Sequence, residues 1–152
     1  MRRTGFTFME LMVVVVIVGV IAMIGFPKIK DAIDKTNVRS ARVAAGTVVA
    51  VARESGIKRG CPAVAHFDGT IGTMWVTVCP RMSTTGSGTV DTVTMVEKIE
   101  KLYGVDMTET LDSVQFDPRG LSLTNAQSTV LFTTTSGARD SILINSLGKV
   151  VR

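Results

Sequence analysis

The sequence predicts an α+β chain: one long N-terminal helix, spanning a membrane in its first half, followed by a β-rich remainder. Three observations predict it. Leu11 to Phe26 is a run of 16 residues without a charge. From Lys28 to Gly56 apolar residues return at steps of three and four, the repeat of a helix face. After Gly60 the chain breaks into short β-rich pieces separated by turns rich in Gly, Asp, Ser and Pro.

The first element starts near Phe6. Phe6 to Phe26 is 21 residues, and as a helix at about 1.5 Å each they span roughly 31 Å. That matches the roughly 30 Å hydrocarbon core of a bilayer, so the run reads as a span and not as a core helix. One carboxylate, Glu10, lies inside it. A charge at membrane depth costs about 2.5–3.5 kcal/mol on insertion scales and therefore calls for a partner. The plainer alternative is that Glu10 lies near the headgroups and reaches water. Gly19, Gly25 and Pro27 all lower helix stability. Pro27 removes a backbone hydrogen bond and clashes with the carbonyl four residues back, which predicts a kink or a locally melted segment.

The amphipathic half carries Ile29, Ile33, Ala41, Ala44 or Ala45, Val48 and Ala52 as its apolar stripe, expected to pack on the chain's own sheet. Lys30–Asp34 and Asp31–Lys35 are spaced four apart on an exposed face. Gly56 reads as the helix stop, with Lys58 and Arg59 favouring the negative end of the dipole. The single helix thus runs to about residue 56.

Strands are expected at Ala63–Phe67, Thr73–Val78, Ser113–Phe116, Leu121–Leu123, Thr129–Thr134, Ser141–Asn145 and Lys149–Val151. Turns fall at Asp68-Gly69, Asp117–Gly120, Ser136-Gly137 and Ser146–Gly148, and Pro118 after Asp117 suits a type I turn. Ser83–Gly88 reads as a flexible loop, and 90–103 as a strand followed by a helical turn. No internal repeat is evident.

A pI near 9.4 suggests an anionic partner until the charges are located. Residues 28–59 hold eight Lys and Arg against three acids, +5, whereas residues 60–152 hold seven against nine, −2. The basic balance belongs to one arm just outside the membrane, which argues against a broad nucleic-acid-binding face.

Gly5-Phe6-Thr-Phe-Met-Glu10, the aliphatic run and Pro27 together resemble the class III leader of type IV pilins and pseudopilins. In that family a prepilin peptidase cuts after the glycine and methylates the new terminal amine. The glutamate is fifth and a proline twenty-second in the mature chain, the places of Glu10 and Pro27 counted from Phe6. The resemblance implies cleavage between Gly5 and Phe6, methylation on Phe6, and roles for Glu10 and Pro27 in assembly. It implies a leader at 1–5, a transmembrane helix at 6–29 and a periplasmic domain at 30–152, with the N-terminus cytoplasmic. It also supplies Glu10 with a partner. Cleavage creates an amine with a pKa of about 7.7–8, and that ammonium on one subunit can pair with Glu10 of its neighbour.

The second half is similar to GspH/FimT-like minor pilins and pseudopilins at Arg53–Arg59, Val114–Gly120 and Ile142–Val151, which implies two antiparallel sheets beside the helix. The partners implied are other pilins of the filament, the prepilin peptidase, the inner-membrane assembly platform and the bilayer. Two other readings compete. One is an ordinary secretory signal cut after Val20-Ile-Ala22, leaving a start 17 residues further on. The other is a plain signal-anchored periplasmic protein.

In a periplasmic domain Cys61 and Cys79 suggest one disulfide, the alternative being two free thiols. His66 is the single histidine and is expected to be packed or at the surface, with no metal site; Trp75 is expected in the core. No nucleophile–base pattern, phosphate loop or metal motif occurs, so no enzyme and no cofactor are expected. Some FimT-like relatives hold DNA through a basic G-R-x-R tail. Gly148-Lys149-Val-Val-Arg152 departs from that pattern, and Lys149 and Arg152 offer only a weak, salt-sensitive contact.

Overall fold

The computed structural model describes residues 7–79, 90–94 and 96–151. Gly5, Phe6, the Ser83–Gly88 loop and Arg152 lie outside the described residues. Helix α1 (Phe8–Arg59) is followed by β1 (Ala63–Asp68), β2 (Thr73–Val78), β3 (Asp91–Thr92) and β4 (Glu97–Lys98). Then come α2 (Ile99–Tyr103), β5 (Asp106–Glu109), β6 (Ser113–Phe116), β7 (Ser128–Thr133), β8 (Arg139–Ile144) and β9 (Val150–Val151).

Helix α1 runs through Pro27 without a break, so of the kink or locally melted segment expected there the melted one is not seen. It also passes the expected stop at Gly56. Gly60 ends it instead, in the left-handed conformation (φ 64°), donating its N–H to the carbonyls of Gly56 and Ile57. Gly56 serves close packing: a Cβ there would lie 3.3 Å from the carbonyls of Asp117 and Cys61. Lys58 and Arg59 occupy the last turn, as the dipole favours.

The strands form two antiparallel sheets. One has the order β3-β2-β1-β6, with β4 also paired to β2; the other has the order β5-β7-β8-β9. Strands β2 and β6 coincide with their expected bounds, and β1, β7, β8 and β9 differ from theirs by one or two residues at an end. Leu121–Leu123 is not a strand. Only Ser122 bridges to Phe116, as the chain doubles back after the turn. Strand β5 was not expected, because Asp106–Glu109 offers one buried apolar side chain, Met107.

The core lies between α1 and the two sheets. Val38, Ala41, Ala45, Val48, Val49 and Ala52 face Phe67, Met74, Val76, Phe116, Val130, Phe132, Ile142 and Ile144. The alanines let the sheets approach the helix closely, and a Cβ at Gly46 would touch Ile142 Cδ1 at 3.6 Å. Ile29 and Ile33, expected in this stripe, are 58% and 53% exposed. The domain buries residues of α1 only from Val38 on, and up to Ile33 the helix is almost wholly exposed.

Candidate functional site

The lower half of α1 is the first candidate. From Thr7 to Ile33 the helix is exposed, apart from partial cover at Ala22 and Gly25. Its apolar window has a mean hydropathy of 2.7 and none of it is buried, so it is long and apolar enough to cross a membrane. Thr7 caps it, its Oγ1 accepting from the Glu10 N–H at 3.3 Å. Thr7-Phe8-Met9-Glu10 is thus half of a capping box, a local signal that the sequence reading missed. Glu10 lies in the first turn, where the helix dipole favours an anion, and is exposed. Pro27 lies 17 residues further along the same uncovered rod.

The upper half of α1 is fastened to both sheets. Cys61 and Cys79 are joined by a disulfide with a Cα–Cα distance of 6.2 Å. Beside it Arg59 Nη1 donates to Asp91 Oδ2 at 2.7 Å and to the Cys79 carbonyl at 3.4 Å. Lower down, Arg42 pairs with Asp140 of β8 at 2.8 Å, both partly buried.

The three segments carrying the second resemblance meet at this end. Asp117 Oδ1 accepts from the N–H groups of Leu121 (2.8 Å) and Arg119 (2.9 Å), and Oδ2 from Arg119 Nε (2.8 Å). The bond from Leu121, together with those from Arg119, holds the Asp117 carboxyl below the usual range, although burial opposes this. Gly120 (φ 79°) lies against Ile57 and Arg53 of α1, and Gly148 (φ 79°) against Phe116 and Ser122. The helix end, the turn and the C-terminal hairpin therefore form one packed corner.

On the outer face of the first sheet His66 and Trp75 stack, with ring centroids 4.9 Å apart, and His66 Nε2 meets Thr77 Oγ1 at 2.8 Å. Trp75 is half-buried on this outer face and not in the core, because it alternates with the core-facing Met74 and Val76. The cross-strand pairing of His66 with Trp75 could not be read before the register was known. Burial lowers the His66 pKa. Asp68, Glu109 and Asp112 border the same cleft of about 240 Å³. Among the described residues no group of three His, Cys, Asp or Glu side chains could hold a metal ion.

Lys149 lies in a separate cleft of about 280 Å³ with Arg53, Gly46 and Val150. Glu10, Pro27, the disulfide and Lys149 are therefore spread along the molecule, with no common pocket. Such an arrangement offers surfaces for association.

Residues 1–26 match the family model of the prokaryotic N-terminal methylation motif. The fold is similar to that of the type IV minor pilin FimU of Pseudomonas aeruginosa (strain PAO1) in two crystal forms. One form is 10% identical over 76% of this chain and 87% of that one, with a TM-score of 0.56. The other is 9% identical over 74% and 90%, with a TM-score of 0.54. No curated protein matches the chain.

Proposed function

We propose that this chain, type IV pilin-like with a class III leader ahead of a pilin fold, is a minor subunit of a filament rooted in the inner membrane. The filament is a type IV pilus or a type II secretion pseudopilus. The chain's role is structural and not enzymatic. One observation carries the reading: the matched motif extends along a helix, from Phe8 on, that is uncovered at its lower end and is the spine of the domain at its upper end.

In this reading a prepilin peptidase cuts between Gly5 and Phe6 and methylates Phe6. The resulting ammonium pairs with Glu10 of an adjacent subunit, so a charge that is costly alone in lipid is compensated in the helix bundle. Mass spectrometry of the chain purified from membranes tests it. The expected N-terminus is N-methylated Phe6; a chain starting at Met1, or at Met23 after a secretory cut, overturns the reading.

A second reading, DNA binding, gains support from Arg53, which shares a cleft with Lys149. It predicts a DNA mobility shift confined to low salt that Arg53→Ala, Lys149→Ala and Arg152→Ala together abolish. No shift at any salt concentration removes it.

A further inference from the structure

We infer that the turn between β7 and β8 rests in the headgroup layer of the membrane while the subunit is stored there, and takes anionic phospholipid. This rests on the reading above, that the apolar run of α1 spans a bilayer. The turn shares a cleft with the helix just beyond that run. Asp31 and Lys35 of α1 and Ser136, Gly137 and Ala138 of the turn line one cleft of about 220 Å³. Asp31 stands four residues past Pro27, roughly 6 Å at the helical rise. The headgroup region adds about 5–7 Å to each side of the hydrocarbon core. The turn therefore meets the helix at headgroup level.

Two further observations point the same way. Ile29 and Ile33 flank this level and are covered by nothing in the domain, an unfavourable exposure in water but the ordinary state of side chains in a membrane interface. The exposed cations Lys28, Lys30 and Lys35 lie on this stretch of α1, Lys35 in the cleft itself, and the exposed Arg139 follows the turn. The acids facing them are Asp31 and the half-buried Asp34, while Asp140 is already paired with Arg42. An excess of positive charge thus faces the lipid, and lysines of this length reach several ångströms toward it.

The turn itself is firm. Gly137 N–H donates to the Thr134 carbonyl at 2.9 Å, Thr134 N–H donates to the Ala138 carbonyl at 3.0 Å, and Thr134 Oγ1 and Ser136 Oγ lie 3.0 Å apart. Its exposed tip, Thr135 to Gly137, presents hydroxyls to phosphate.

The test uses the full chain with a polarity-sensitive fluorophore at Ser136→Cys, or at Ser146→Cys past the opposite end of β8 as the control. Each variant is reconstituted in phosphatidylcholine vesicles with or without phosphatidylglycerol, both carrying a headgroup spin-labelled quencher. We expect several-fold stronger quenching at position 136 than at 146, increased by phosphatidylglycerol and reduced by Lys30→Glu with Arg139→Glu. Equal quenching at the two positions, or no effect of phosphatidylglycerol, in vesicles that still carry the chain overturns the inference and leaves the membrane span standing. A chain that fails to float with the vesicles overturns the span itself.

Discussion

Glu10 shows how one residue can serve two ends: its amide is engaged by Thr7 while its carboxylate stays exposed. The two are separable. Glu10→Gln keeps the backbone amide and removes the charge, so membrane insertion should be unchanged while recovery in sheared filaments is lost. Thr7→Ala removes the cap, typically about 1 kcal/mol, and should leave a clear filament signal. Immunoblots of membrane and sheared fractions separate the outcomes, and normal incorporation of Glu10→Gln would sink the pairing. Gly148→Ala should destabilise by about 1–3 kcal/mol in chemical denaturation, because its positive φ is strained for alanine and the new Cβ meets the Phe116 ring. Acid acts through two groups. His66 and Asp117 both have folded pKa values lowered below their ordinary ones, so between the unfolded and folded values the unfolded chain holds more protons and stability is lost as pH falls. The His66 contribution is complete above about pH 6.5 and lost below it; that of Asp117 goes only below about 4. His66→Gln should flatten the upper of the two losses in a series of melts against pH.

At the scale of elements, α1 continues the matched motif and forms one side of the core. Ala45 is fully buried against the sheets, so Ala45→Leu should cost about 1–3 kcal/mol by overpacking, read as a lower denaturation midpoint. The helix was legible because charge-free length and periodicity are local properties. Its end was not, since Gly56 and Gly60 are equivalent in sequence and only the close approach of Asp117 and Cys61 makes Gly56 a packing residue. Strands β2 and β6 were legible from their alternation. Strand β5 was not, because its place comes from pairing with β7 at Met107–Phe132 and not from its own side chains. Leu121 and Leu123 misled for the opposite reason, being apolar yet exposed. Ile29 and Ile33 continue the helical period below the point where the domain ends, and a period alone does not say where its cover stops.

For the whole molecule, the two cysteines bring the end of α1 and the end of β2 together across 18 positions. In the chain-entropy account closing such a loop contributes about 3 kcal/mol. Cys61→Ser with Cys79→Ser should lower the unfolding free energy by about that much, and adding a reductant should then change nothing further. An equal denaturation midpoint for the variant and the oxidised chain would deny the bond any such contribution. Anchor and spine are one uninterrupted rod, so any axial pull on the embedded end is delivered straight into the middle of the domain. The rod's far tip is covalently tied to the first sheet, so such traction is shared with that sheet and does not simply draw the rod out. In the function proposed above, the chain would then leave the bilayer with its folded head intact.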